Sequence, residues 1–317
     1  MNYTRLQMKA IRTHEYGGAE VLQYEDTKTP EPAADEVRVQ VHAASVNPID
    51  WKTRNGSGIP VEFPWIVGWD VAGVVDEAGA DVSEFGVGDE VYGLVQFPGG
   101  GGAYAEVIAV PASELMLMPE SLSFKEAAGV PMVALTAWQA LDAANVRADR
   151  RVLVHAAAGG VGHFAVQFAK QRGAHVIGTA SSSNEEYLRE LGVDEYVNYR
   201  ERQFEDAIEP VDAVIDTIGG ETFERSLEIL KDGEVIDKLP SDPTPEQQEM
   251  ADDYNVQAIH TNVRWNRDWF KDITELIENG AVTPTIDTVF PLAEAQRAHE
   301  LSEEGHVRGK VVLKTRE

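Results

Sequence analysis

The stretch Val152-Leu-Val-His-Ala-Ala-Ala-Gly-Gly-Val-Gly-His163 decides how the rest of the chain is read. An apolar strand runs into a turn of small residues, and an amphipathic helical pattern starts on its far side. Ala156, Gly159 and Gly162 give the spacing A-x-x-G-x-x-G directly between the two, the context a pyrophosphate-binding turn requires. Gly159 and Gly160 let the backbone bend and approach a phosphate. Gly162 permits close packing of helix on strand, and the helix N-terminus offers free N–H groups and a partial positive charge. The alternative is a Gly-rich turn of an unrelated α/β protein; the strand-to-helix placement favours the phosphate-binding reading.

Downstream the rhythm repeats. His175-Val-Ile-Gly178 precedes a helical pattern over 185–191, Ala213-Val-Ile215 precedes one over 222–230, and Glu234-Val-Ile236 follows. Strands alternating with helices of this length predict a parallel sheet with helical crossovers, a doubly wound dinucleotide-binding domain. The end of its second strand selects the cofactor. NAD sites place an acidic residue about 20 positions after the glycines to accept the ribose 2′-OH, and here that turn reads Thr179-Ala-Ser-Ser-Ser-Asn184. A carboxylate would repel a 2′-phosphate, whereas Ser181, Ser182 and Asn184 can donate hydrogen bonds to it, so NADP, as NADPH, is expected. No Lys or Arg stands in that turn; Tyr199 and Arg200, after the next strand, can close over the adenosine end.

Upstream the chain reads as β-rich. Glu36-Val-Arg-Val-Gln-Val-His42 alternates polar and apolar residues, and short runs over 71–76, 90–95 and 105–110 are separated by Gly-rich turns. The tail returns to this style, with a strand over 285–290, a helix over 292–302 and a final strand Lys310-Val-Val-Leu313. We expect a discontinuous β-rich domain, residues 1–132 completed by 267–317, around a dinucleotide-binding domain over 133–266. Residues 241–253 read as an exposed loop or short polar helix.

Composition narrows the function. The chain has 317 residues, enough for about two domains, and no cysteine, which removes disulfides, thiolate zinc sites, iron–sulfur clusters and cysteine nucleophiles together. Against 27 basic residues stand 54 acidic ones, giving −27 spread along the chain. That excess argues against binding nucleic acid or anionic membranes. A salt-adapted, halophilic cytoplasm is expected, because molar salt shortens the Debye length to about 3 Å; the alternative is a merely acidic mesophilic protein. No leader peptide or membrane-length apolar run is read, and a cytoplasmic location is expected.

Several stretches together resemble one family: Ala44-Ser-Val-Asn-Pro-Ile-Asp-Trp-Lys52, Val67-Gly-Trp-Asp-Val-Ala-Gly73, Gly86-Val-Gly-Asp-Glu-Val-Tyr92, Gly102-Ala-Tyr-Ala-Glu106, Gly129-Val-Pro with Leu135-Thr-Ala-Trp138, the glycine turn, and Arg308-Gly-Lys-Val-Val-Leu313. In this order they resemble the medium-chain dehydrogenase/reductase superfamily, and within it the zinc-independent quinone oxidoreductases and enone (alkenal) reductases. The resemblance implies a GroES-like fold for the β-rich domain and a Rossmann fold for the other. Zinc-dependent members have Cys where Asn47 stands and His where Trp69 stands, so no metal is expected. It also implies cofactor contacts from Lys52, Thr136, Ala158, Gly159, Gly160, Val161, Ser181, Ser182, Ser183, Asn184, Tyr199, Leu239, Asn262 and Lys310, with the 261–265 loop closing over the cofactor. A homodimer is expected on the same ground.

Hydride transfer to a quinone or enone builds negative charge on a carbonyl oxygen, which needs stabilisation and a proton. Lys52 is the electrostatic candidate, with Asn47 and Tyr104 as neutral donors that orient the carbonyl. Read in isolation, Lys52 is a solvated surface lysine and Tyr104 a core tyrosine; their place in the family pattern reverses both. His155, inside an apolar strand, reads as a packed histidine, and Trp265 and Trp269 as packing residues. A second reading is an NADPH-binding regulatory or structural protein without turnover; intact Lys52 and an intact glycine turn favour the enzyme.

Overall fold

The computed structural model describes residues 7–316. In chain order the first strands are β1 (Gln7–Thr13), β2 (Gln23–Lys28), β3 (Glu36–Val46), β4 (Trp65–Ile66), β5 (Asp70–Ala78), β6 (Glu90–Leu94), β7 (Val107–Pro111) and β8 (Met116–Leu117), with helices α1 (Pro48–Arg54), α2 (Phe124–Ala128) and α3 (Pro131–Ala143). The middle of the chain supplies β9 (Arg151–Val154), α4 (Gly160–Gln171), β10 (His175–Ala180), α5 (Glu185–Glu190), β11 (Glu195–Asn198), β12 (Val211–Asp216), α6 (Glu221–Leu227), β13 (Leu230–Lys238), α7 (Pro245–Asp253) and β14 (Gln257–Ile259). The last part adds α8 (Arg267–Glu278), β15 (Ile286–Pro291), α9 (Ala295–Glu303) and β16 (Lys310–Lys314).

The chain divides into two compact units. One comprises the described residues up to Met132, Arg264–Glu278, and those from Pro284 onward. Its larger sheet runs β15-β16-β3-β5-β6-β8, with β7 also paired to β3, and a small sheet β2-β1-β4 accompanies it. All its ladders are antiparallel except that of β15 with β16. β3 is long enough to serve both β5 and β7, and Val37, Val39, Val41 and Ala43 on it are fully buried. The tail strand β16 pairs with the β3 end, Val311 opposite Val46, which brings the C-terminal segment beside the residues that open α1.

The second unit spans Val133–Val263 with Asn279–Thr283. Its six strands form one parallel sheet in the order β11-β10-β9-β12-β13-β14. Strand order reverses beside β9, the switch point outside whose carboxyl ends open α/β sheets bind their ligands. Val152, Leu153 and Val154 are fully buried, the continuous apolar run a central parallel strand needs. The expected boundaries shift slightly: residues 264–266 belong to the first unit, and Asn279–Thr283 to the second. The reason for the second shift is Gln167 of α4, whose amide donates to the Thr283 carbonyl at 3.1 Å and accepts the Thr283 N–H at 2.8 Å.

Helix α3 begins on Pro131, the first helical residue, where its missing N–H costs nothing. The 241–253 segment is a polar helix, opened by Thr244, which accepts the Gln247 N–H. No helix among the described residues is long and apolar enough to cross a membrane.

With a net charge of −27, self-repulsion opposes the folded state at low ionic strength. We expect the melting temperature to rise between low and molar salt; a melting temperature unchanged across that range refutes the salt-adaptation reading.

Candidate active site

The glycine turn is built on two tight approaches. Ala156, the first residue after His155, adopts φ +44°, the left-handed region. Its carbonyl accepts the Gly159 N–H at 2.8 Å. A Cβ on Gly162 would lie 2.3 Å from that carbonyl oxygen and 2.8 Å from the Ala157 Cα, so α4 packs against the turn at a distance only glycine allows. Gly159 caps α4 in extended conformation and without a side chain, leaving first-turn N–H groups with no helical partner. Ala158 is buried, while Gly159, Gly160 and Val161 are partly exposed. This cradle fits a pyrophosphate.

Below it, His155 is buried between the Thr179 hydroxyl at 3.1 Å and the Ser226 hydroxyl at 2.9 Å. Burial pushes its pKa down to about 3, with Arg225 adding to the effect, so it stays neutral and braces the end of β9 as the packed histidine expected.

The neighbouring strand ends share a register. Ala180 of β10 pairs with Asn198 of β11, so Ser181 and Tyr199 leave adjacent strands side by side. Ser181 Oγ lies 3.0 Å from Ser183 Oγ and 3.4 Å from Asn184 Nδ2, a cluster of hydroxyl and amide groups. Ser182 in the same turn is exposed. Arg200 donates Nε to the Tyr199 hydroxyl at 3.3 Å and lies 5.7 Å from its ring, which places a cation on the strand end next to a turn that has none. Thr136 in α3 and Leu239 are partly exposed, and the Leu239 N–H is bound to the Asp216 carbonyl at 2.8 Å. Asn262 is exposed, its oxygen 3.2 Å from His260 Nε2. Trp265 in the expected closing loop donates its indole N–H to the Ser113 carbonyl at 2.8 Å and packs 4.9 Å from Phe270.

The first unit turns three of the expected site residues inward. Asn47, Tyr104 and Lys310 are almost fully buried, and their polar atoms are taken. Asn47 accepts from Lys310 Nζ at 2.6 Å and donates to Asp70 Oδ2 at 2.8 Å. Tyr104 gives its hydroxyl hydrogen to Asp50 Oδ2 at 2.8 Å. Lys310 also donates to the Val46 carbonyl at 2.6 Å. Tyr104 thus has its one donor engaged, whereas Asn47 Nδ2 and Lys310 Nζ use only part of their N–H donors in these bonds. Together with Ser45, which donates to Asp70 Oδ2 at 2.7 Å, and the Met132 N–H, which donates to Oδ1 at 2.9 Å, they form a buried polar hub. Motif position revealed their hydrogen-bonding capacity but not their partners. Asp50, Asp70, Arg54 and His299 went unread as functional, although Asn47-Pro-Ile-Asp50 carries its own signal: an N-cap, proline at N1 and a carboxylate at N3 that accepts the Asn47 N–H at 2.7 Å.

Lys52 differs from these. It lies on α1, partly exposed, with Nζ 5.8 Å from the Trp51 ring, and burial holds its ammonium below the usual lysine range.

Residues 33–120 match the family model described as alcohol dehydrogenase GroES-like domain, and residues 191–313 the one described as zinc-binding dehydrogenase. A quinone oxidoreductase structure from Coxiella burnetii is 41% identical, with a TM-score of 0.92, over 98% of this chain and 100% of that one. A chloroplastic NADPH-dependent alkenal/one oxidoreductase of Arabidopsis thaliana is 34% identical, across 97% of this chain and 79% of its own. The chain belongs to the medium-chain dehydrogenase/reductase superfamily. The quinone oxidoreductase of Escherichia coli, solved in complex with NADPH, has 28% identity and a TM-score of 0.85, over 96% of this chain and 99% of that one.

Zinc, implied by the second model's description, does not fit these residues. The Asn47 amide is occupied, Trp69 is buried with its indole N–H on the Gly99 carbonyl at 3.2 Å, and no group of three or more His, Cys, Asp or Glu among the described residues can hold a metal.

Because a Cβ at position 162 meets backbone, which cannot rotate away, Gly162→Ala should cost about 1–3 kcal/mol of stability. It should also weaken nicotinamide dinucleotide binding at least about tenfold, since 1.4 kcal/mol is a decade. Calorimetric titration showing wild-type affinity would refute the cradle.

Proposed function

We propose that the protein is an NADPH-dependent oxidoreductase that transfers hydride to a quinone or to the activated double bond of an α,β-unsaturated carbonyl compound, without zinc. The observation that carries this reading is the turn at Gly159–Gly162: a cradle too tight for a Cβ, at the carboxyl end of the first strand of a doubly wound sheet. The names of the similar proteins, quinone oxidoreductase and alkenal/one oxidoreductase, support the acceptor class.

NADPH, when bound, supplies the hydride. Gly159, Gly160 and Val161 hold its pyrophosphate through backbone N–H groups, with Ala158 and Thr136 lining the same cofactor. Ser181, Ser182, Ser183 and Asn184 bind the 2′-phosphate by hydrogen bonds, and Tyr199 with Arg200 closes the adenosine end. Leu239 and Asn262 would add further contacts to the cofactor. Lys52 stabilises the negative charge that develops on the acceptor oxygen. Its partial burial strengthens that interaction, since the same charge is screened less away from water. Because burial lowers its pKa, the ammonium loses its charge earlier on the alkaline side than a free lysine does. Asn47, Tyr104 and Lys310 serve by holding the scaffold around α1.

Two substitutions test the assignment. Lys52→Gln should lower kcat by about 10²-fold or more, the usual effect of removing one oxyanion-stabilising group. The wild type should favour NADPH over NADH by tens-fold in kcat/KM, roughly 2 kcal/mol at 1.36 kcal/mol per decade. Ser181→Asp should reverse that preference by setting a carboxylate against the 2′-phosphate. An unaltered cofactor ratio in Ser181→Asp would put the 2′-site in another turn.

A further inference from the structure

Helix α1 has an unusual seat. Its buried residues are Asp50, Thr53 and Arg54, all polar, where a helix of a globular protein ordinarily buries an apolar stripe. At seven residues it is too short to persist on propensity alone, so its placement depends on the bonds its side chains make.

Those bonds form one directed chain. Arg54 Nη2 donates to Glu303 Oε1 at 2.7 Å. Arg54 Nη1 lies 3.2 Å from His299 Nδ1. A guanidinium can only donate, so Nδ1 accepts and the ring proton resides on Nε2. Nε2–H then donates to the Tyr104 oxygen at 3.3 Å, and Tyr104 donates to Asp50 Oδ2 at 2.8 Å. The Asn47 N–H gives the same oxygen a second donor at 2.7 Å. The other oxygen, Asp50 Oδ1, is buried with no hydrogen-bond partner.

We propose that Asp50 is a positioning residue: the chain from Glu303 to Asp50 seats α1 and thereby holds Lys52, two residues further along the same helix. This rests on the reading of Lys52 as the group that stabilises the acceptor oxygen.

The charged and titratable groups facing Asp50 are Asp70 on β5, Lys310 on β16, Tyr104 ahead of β7, His299 and Glu303 on α9, and Arg54 on α1 itself. His299 is pushed down to about 3 by burial and then by Arg54, so it is neutral well below pH 7. Tyr104 is pushed well above the phenol range, first by burial and then by Asp50. Asp70 has donors on both oxygens. Asp50, with one oxygen bare, is raised to about 7, burial being the main cause, so its charge changes near neutrality; burial also pushes Asp70 up and Lys310 down.

Ionised Asp50 draws charge-assisted bonds from Tyr104 and Asn47, which tightens the seat. Its stability effect has the opposite sign. A carboxyl raised from 3.8 to about 7 on folding contributes stability that is present below about pH 4 and lost as pH rises through about 7. Turnover and melting temperature therefore move in opposite directions across one window.

The test measures kcat for NADPH-dependent quinone reduction and melting temperature across the neutral range, on full-length wild type, Tyr104→Phe, Asp50→Asn and Lys52→Gln. Wild-type kcat should rise through an inflection near pH 7. Tyr104→Phe removes one donor to the carboxylate and should move that inflection up by about one unit, with KM for NADPH unchanged. Asp50→Asn should abolish the inflection and the accompanying fall in melting temperature. An inflection that stays put in Tyr104→Phe, or persists in Asp50→Asn, overturns the proposal, and Tyr104→Phe decides alone should Asp50→Asn not fold. Wild-type kcat in Lys52→Gln would remove the role given to Lys52 while leaving the Asp50 seat to be judged on the melting curves.

Discussion

A buried lysine and a buried aspartate joined through one amide are the constraint around which the first unit is arranged. Lys310 and Asp70 are almost fully inside, and neither could be there alone, because an unpaired charge in an apolar interior costs several kcal/mol. Asn47 joins them, accepting from one and donating to the other. The consequence is topological. Lys310 on the tail strand, Asp70 on β5 and Asn47 at the head of α1 must meet, which fixes β16 against β3 and fixes where α1 starts. Losing one partner would leave a bare charge and, on the usual scale, about 3–5 kcal/mol of destabilisation. Where the resemblance places a cysteine in zinc-dependent relatives, this chain has an amide bonded to Lys310 and Asp70.

The second unit is governed by sterics rather than charge. Gly162 lets α4 approach the Ala156 carbonyl, and Gly178 lets β10 lie where a Cβ would come 3.1 Å from Ala157 Cβ and Val193 Cγ2. Neutral, buried His155 braces the strand end below the turn. A backbone held this tightly presents its N–H groups with little reorganisation left to make, which is what binding a pyrophosphate through main-chain donors requires.

The contrast between the two units explains what the sequence made legible. The turn was readable because all its requirements are local: small residues at fixed spacing between an apolar strand and a helical pattern. The parallel sheet followed from the alternation of strand and helix patterns. The polar hub was not readable, because its partners are far apart in sequence. Asn47 and Lys310 are separated by 263 positions, and Tyr104 and His299 by 195. Residue type shows that Asn47 and Tyr104 can donate hydrogen bonds; only the folded chain shows that Asp70 and Asp50 already receive them. Arg200 was legible as a candidate cation, and the register of β10 with β11 sets its strand end beside the Ser181 turn.

The central claim is that the Asn47 amide, bonded to Lys310 and Asp70, holds the head of α1 in a protein we propose to work without zinc. The direct measurement is NADPH-dependent quinone reduction before and after exhaustive chelation, with metal analysis of the same samples. The account predicts unchanged kcat in protein free of stoichiometric metal. Activity lost to the chelator and restored by zinc would contradict it.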